Sequence, residues 1–268
     1  MLKDITFGQY FEGRSLIHRT DPRIKIILMI LLIVFIFVSQ NMYALGFSAA
    51  AVLTAIIISR VPLKMYLKNM KAILPVLIFT ALINLFYDEG EVLLHWWKIE
   101  ITTGGVYKAI FMAVRIVLLI LVSSILTYTT TPNDLTDAIE SLLTPLKFIG
   151  LRGAVHTLAM MMTIALRFIP TLIEEAEKIM NAQKARGADL ESGIIINRIK
   201  ALIPILIPLL ISSVRRAYEL AEAMECRCYN GGEGKTRMKQ MKLSFIDLLI
   251  SLLVLIVCGG IIVLNILL

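Results

Sequence analysis

Five apolar runs divide the chain: Ile24–Val38, Met42–Ser59, Ala72–Tyr87, Val106–Tyr128 and Leu243–Leu268. A helix needs about 20 such residues to cross a hydrocarbon core of about 30 Å, with roughly 17 as the short limit. Each run reads as a membrane span, the first three near that limit. Between the fourth and fifth runs, Thr131–Lys242 carries a different pattern, apolar and charged positions recurring with a helical period.

Local signals at the ends of the runs agree with this division. Asp21 is an N-cap with Pro22 at the first helical position, and Thr131 with Pro132 repeats the device. The next helix places Leu135, Ile139, Leu142, Leu143 and Leu146 on one face, and Pro145 marks its end. Such a helix lies on a membrane or on its neighbours. Ala154–Arg186 reads as one helix about 50 Å long, apolar first ("AVHTLAMMMTIALRFIP") and charged afterwards ("TLIEEAEKIMNAQKARG"). It is expected to begin at membrane depth and project into the cytoplasm, kinked at Pro170. Ile194–Tyr229 repeats that plan, its uncharged core Ala201–Val214 too short to span and loosened by Pro204 and Pro208.

The predicted fold is therefore all-α and polytopic, with about five transmembrane helices. Residues 1–23 form an N-terminal segment, 24–131 a membrane domain of four spans, 132–242 a cytoplasmic or interfacial region of long helices, and 243–268 the last span. Composition points the same way: 58% of the 268 residues are hydrophobic and 18% charged, with a mean hydropathy of +0.81. That balance is too apolar for an ordinary soluble domain. The net charge of +7 needs no nucleic acid, because lysine and arginine collect in the cytoplasmic loops of membrane proteins.

The loops set the orientation. Lys3, Arg14, Arg19, Arg23 and Lys25 precede or open the first run, and Arg60, Lys64, Lys68 and Lys71 follow the second, whereas "SQNM" between them is uncharged. Both basic segments, and so the N-terminus, are expected in the cytoplasm. The first run ends in "VSQNMY" without a small-x-small cleavage site, so it reads as a retained span. The acidic loop "YDEGEVLLHWWKIE" suits the outer face, with Trp96 and Trp97 as interfacial anchors.

Candidate chemistry is sparse. "GGEGKT" ends like a phosphate-binding loop, but Tyr229 stands where the first glycine belongs and no strand precedes it. Cys226 and Cys228 have no histidine beside them, and on a helix end their side chains diverge by about 200°. His18, His95 and His156 fall on different predicted elements, which excludes a metallopeptidase centre. Glu174 and Lys178 form an i,i+4 pair on a solvated face. Arg115 lies inside the fourth run, where a charge marks either a structural partner such as Asn84, snorkelling to an interface, or the substrate path of a secondary transporter.

The two long helices end alike. Aligning Arg186 with Arg227 superposes Ala176, Ala182 and Ala185 on Ala217, Ala223 and Cys226. Small side chains admit a partner backbone, and arginine offers a planar fork of donors to carboxylates.

The opening "FGQYFEGRSLIHRTDPRIK", the helix "TTTPNDLTDAIESLLTPL", and the endings "AQKARG" and "AMECRCYNGGEG" at this separation resemble the transmembrane coupling subunit of energy-coupling factor importers of vitamins and metals. The resemblance covers almost the whole chain. It implies a non-catalytic scaffold in a bacterial or archaeal plasma membrane. Such a scaffold binds no cofactor directly; ATP and magnesium belong to two ATP-binding-cassette ATPases, a homo- or heterodimer, and a small membrane subunit captures the substrate. The ATPase-docking positions so implied are Ala185, Arg186 and Gly187 in the first ending and Cys226, Arg227 and Cys228 in the second. The second has cysteine for both alanine and glycine, so Gly231 and Gly232 are expected to supply the turn. The apolar stretches around Met160–Met162 and Ile205–Leu210 are expected to form a platform for the binding subunit.

Overall fold

The computed structural model describes residues 10–87, 92–96, 99–145, 152–187, 195–230 and 243–267. Its elements are α1 (Leu16–Arg19), α2 (Pro22–Val38), α3 (Met42–Ser59), α4 (Leu63–Tyr87), β1 (Val92–Trp96), β2 (Ile99–Thr102), α5 (Thr103–Thr129), α6 (Pro132–Leu143), α7 (Arg152–Ala185), α8 (Ile195–Cys226) and α9 (Phe245–Leu267). They fall into two compact units. One is built on Gly8–Ala138 with Met241–Leu268 and the other on Ile139–Gln240, so the division lies within α6.

In the first unit α2 and α3 each pack against both α5 and α9, and α4 packs on the outside of α5. Ile36, Leu45, Val52, Phe111, Leu118 and Tyr128 form the main core, and Leu28, Val254 and Cys258 a second one between α2 and α9. Gly105 permits close approach of α5 to α4, because a Cβ there would lie 2.7 Å from the Leu85 carbonyl oxygen. Among the described residues, five helical segments are long and apolar enough to cross a membrane: Met42–Ser59, Leu63–Leu85, Thr103–Thr129, Ala154–Ala185 and Phe245–Leu267. The 17 residues of α2 are a fraction of a turn shorter and as apolar. Its outward residues Ile27, Ile30, Val34 and Phe37 are about half exposed, as a lipid-facing stripe is.

Both ends of α2 are tied down. Asp21 caps its start, accepting from the Arg23 N–H at 2.9 Å, and the Asp21 N–H donates to Asp247 Oδ1 at 2.8 Å. Asp247 Oδ2 accepts from the Ser244 N–H at 2.7 Å, so one carboxylate, 2% exposed, serves the starts of both α2 and α9. At the other end Asn265 of α9 donates to the Val38 carbonyl at 3.1 Å and accepts from the Gln40 N–H at 3.2 Å.

α5 completes the arrangement by an exchange of cations. Lys25 Nζ of α2 donates to the Thr129 carbonyl at 3.0 Å, and Arg115 Nη2 of α5 donates to the Ser39 carbonyl. Lys25 and Ser39 are 14 residues apart, as are Arg115 and Thr129, about 21 Å on either helix. Each cation thus meets the carbonyls that its antiparallel neighbour's last turn leaves free, where the helix dipole is negative. The matched spacing fixes the register of the pair.

Two features differ from the sequence reading. α4 starts at Leu63 rather than Ala72, so Lys64, Lys68 and Lys71 are helical: after Pro62 nothing interrupts a helix, and Pro75 is accommodated inside it. The acidic loop contains an antiparallel hairpin, with His95 opposite Glu100 and Trp96 opposite Ile99. Its alternation of Val92, Leu94 and Trp96, then Ile99 and Ile101, is a period-two pattern short enough to pass for a loop. Trp97 and the side chain of Trp96 lie outside the described residues. As their patterns predict, α7 and α8 are each one helix, with Pro170 and with Pro204 and Pro208 inside them.

In the second unit α7 and α8 pack on each other. Glu175 of α7 receives Arg216 Nη2 at 2.6 Å and the Ser212 hydroxyl, whereas Tyr229, beyond α8, donates to Met160 Sδ at 2.7 Å. Residue numbers rise along one helix as they fall along the other, so the pair is antiparallel. The apolar half of α7 therefore lies beside the charged half of α8. The apolar halves of the two helices thus lie at opposite ends of the pair.

Candidate functional site

The two helix endings have the same backbone geometry. After α7, the Gly187 N–H donates to the Lys184 carbonyl at 3.0 Å and the Arg186 N–H to the Ala182 and Gln183 carbonyls. After α8, the Cys228 N–H donates to the Glu225 carbonyl at 2.8 Å and the Arg227 N–H to the Met224 carbonyl at 3.2 Å. The residue after each arginine turns left-handed, with φ of 85° at Gly187 and 55° at Cys228. The expectation that Gly231 and Gly232 turn the second ending is thereby corrected: Cys228 occupies the glycine position itself, and those glycines lie outside the described residues. For a side chain bearing Cβ that conformation costs about 1–2 kcal/mol, offset in part by the carbonyls satisfied at the helix terminus.

Ala185, Arg186 and Gly187 are all exposed, and so are Cys226, Arg227 and Cys228. The antiparallel crossing sets the two triplets far apart. Arg227 lies near Ile164, Arg167 and Phe168 of α7, lining a shared groove, and from there to Arg186 is about 30 Å along α7. One helix pair thus carries two similar arginine-tipped ends on separate sites.

Between them the helices leave a larger groove of about 690 Å³, lined by Met160, Phe168 and Leu172 on one side and Ala217, Leu220 and Met224 on the other. On the face of α8 away from α7, Ile203, Ile207, Leu210, Ile211, Val214 and Tyr218 are all exposed, from 47% to 74%. They recur with helical spacing and form one apolar stripe. Of the residues expected to form the platform, Ile205 is buried, on the side of Ser212 and Arg216, while Met161 and Met162 are exposed.

The remaining candidates lie apart from these endings, except for the two cysteines. Arg115 does not reach Asn84, whose amide donates to the Thr80 carbonyl in its own helix at 2.8 Å. Its guanidinium instead lies 4.6 Å from the Phe111 ring centroid and donates to the Ser39 carbonyl at the end of α2. Glu174 and Lys178 are both exposed, and the carboxylate that finds a partner is the adjacent Glu175. Among the described residues no group of three histidine, cysteine or acidic side chains could hold a metal ion. Cys226 and Cys228 are free thiols.

The motif "SLIHRTDPRIK" is a folding knot. Ser15 Oγ accepts from the His18 N–H and lies 2.7 Å from His18 Nδ1, and His18 Nε2 lies 2.9 Å from the Phe11 carbonyl. A carbonyl only accepts, so Nε2 carries the proton and Nδ1 accepts from the hydroxyl. Burial pushes the imidazole pKa down, against the pull of that carbonyl, and Lys25 lowers it further. Asp21, Pro22 and Lys25 then start α2 and fasten it to α5. Sequence reasoning missed Asp247, since an acid opening an apolar run gives no hint that it serves two helix starts.

Residues 13–240 match the cobalt transport protein family. The chain is 52% identical over 253 residues to the energy-coupling factor transporter transmembrane protein EcfT of Ruminiclostridium cellulolyticum, covering 94% of this chain and 93% of that one. The Acidaminococcus fermentans protein of the same name is 48% identical over 255 residues, 95% and 94% of the two chains. That of Bacillus subtilis is 42% identical over 242 residues, 90% and 91%. Apolar helices, paired endings and relatives matched almost end to end make this chain a member of that family, a transmembrane component of the energy-coupling factor transporter type.

Proposed function

We propose that the chain is the scaffold of an ATP-driven importer of vitamins or other micronutrients, joining two ATP-binding-cassette ATPases to a small substrate-binding membrane subunit. Arg186 and Arg227 are the docking points, each seated in one ATPase, with Ala185 and Gly187 or Cys226 and Cys228 keeping the approach open. The observation that carries this reading is the repeated geometry of two exposed helix ends about 30 Å apart, each led by an arginine and closed by a left-handed residue. A single such end is ordinary helix termination; two at opposite ends of one rigid pair suit two partners.

In this reading residues 132–242 are the coupling region and the N-terminus is cytoplasmic. The α7–α8 pair lies side-on along the inner face, and the exposed stripe from Ile203 to Tyr218 is the platform for the substrate-binding subunit. ATP and magnesium are held by the ATPases. Substrate identity then resides in the binding subunit, and this chain transmits force.

The test is co-purification of the full chain with its ATPases from native membrane. The double variant Arg186→Glu with Arg227→Glu should insert normally, lose the ATPases and lose ATP-dependent uptake. Uptake and ATPase recovery equal to wild type would refute the proposal.

A further inference from the structure

Arginines near the α7–α8 crossing are mostly matched. Arg216 pairs with Glu175 at 2.6 Å and Arg215 with Glu219 at 3.8 Å. Arg167 differs. Apart from His156 it is the sole ionisable side chain from Gly153 to Ile173, and it is exposed within the apolar half of α7. The crossing brings it to the groove of about 390 Å³ that Arg227 also lines. Ile164, Phe168, Leu220 and Ala223 complete most of the wall, and no carboxylate is among the lining residues.

Two guanidiniums thus line one small apolar groove without a carboxylate among its lining residues, so the groove carries positive charge that an acidic partner complements. Arg186 is placed otherwise: it lines neither this groove nor the larger one. The two endings agree in backbone and differ in what flanks them.

We infer that the docking site at the α8 ending is composite, with Arg167 of α7 acting beside Arg227. It takes an element of the docked ATPase that presents carboxylates around an apolar side chain seated in the groove. This rests on the docking reading above and extends it: Arg186 lines neither groove, so the two attachments are inequivalent. Planar guanidinium forks suit paired carboxylates, and the apolar wall between them desolvates the contact and strengthens it.

The experiment is a mutant cycle on the full chain, measuring the affinity of the purified membrane protein for its ATPases. Arg167→Ala should weaken assembly about tenfold with an unchanged thermal midpoint. Its effect should shrink in an Arg227→Ala background and stay in full in an Arg186→Ala background. Ala223→Trp, which fills the groove without altering charge, should reproduce the loss, and it decides the matter if Arg167→Ala lowers stability. Wild-type assembly by both Arg167→Ala and Ala223→Trp, with Arg227→Ala defective, overturns the composite site and leaves the docking reading standing. Wild-type assembly by Arg227→Ala and Arg186→Ala together removes both.

Discussion

The helical unit around α2 and the α7–α8 pair use the same residue types to opposite ends. Around α2, every named charge is answered inside the fold: Lys25 by the end of α5, Arg115 by the end of α2, Asp247 by two backbone N–H groups. On the α7–α8 pair, Arg186 and Arg227 stand exposed at helix ends and a stripe of large apolar side chains has no cover. The first pattern is how a chain with little room for polar groups stays folded. The second leaves a contiguous apolar stripe uncovered, of the kind that meets a partner or a lipid surface.

The sharpest way to break this contrast is to remove an answered charge. Asp247→Ala leaves the buried Asp21 N–H without an acceptor, worth about 1–3 kcal/mol, and frees the part-buried Ser244 N–H as well. A large fall in the thermal midpoint of the purified chain is expected; an unchanged midpoint would mean that α2 and α9 are not held through this carboxylate. Next, Arg115→Ala strips the end of α2 of its cation and should cost about 1–3 kcal/mol, while Arg115→Lys recovers part of it. ATP-dependent uptake per folded molecule should persist in both. Uptake abolished in a stably folded Arg115→Lys protein would instead favour a substrate path through Arg115.

Smaller effects sharpen the comparison of the two endings. Cys228→Gly relieves a left-handed cysteine and should stabilise that terminus by up to about 1 kcal/mol, whereas Gly187→Ala should cost about 1 kcal/mol at its counterpart. Hydrogen exchange of the last turns of α8 and α7 reads both changes, and opposite signs are expected.

The smallest effect concerns pH. Burial holds His18 below its ordinary value of 6.5, so the unfolded chain takes up the proton first as pH falls. Its contribution is complete above pH 6.5 and is lost as pH falls through the lowered folded value. His18→Gln should flatten that part of a stability–pH curve, and an unaltered slope would contradict the neutral imidazole.

Much of this was legible in the sequence because it rests on local rules. The N-caps Asp21 and Thr131 are short-range, as their hydrogen bonds show, and the endings at Arg186 and Arg227 carry their geometry in a few residues. What escaped depends on distance in the chain. Asp247 acts on Asp21, more than two hundred residues away, and no periodicity shows which helix end Arg115 will reach. Nor does the sequence pattern show that the antiparallel crossing sets Arg167 on the same groove as Arg227. The start of α4 is hidden from a reading of charge, because Lys64, Lys68 and Lys71 sit on an exposed helical face.

The most direct test of the whole account is recovery of the two ATPases with the full chain carrying Arg186→Glu and Arg227→Glu, measured beside its thermal midpoint. The account predicts an unchanged midpoint with the ATPases lost. A double variant that retains both ATPases and imports normally would contradict it.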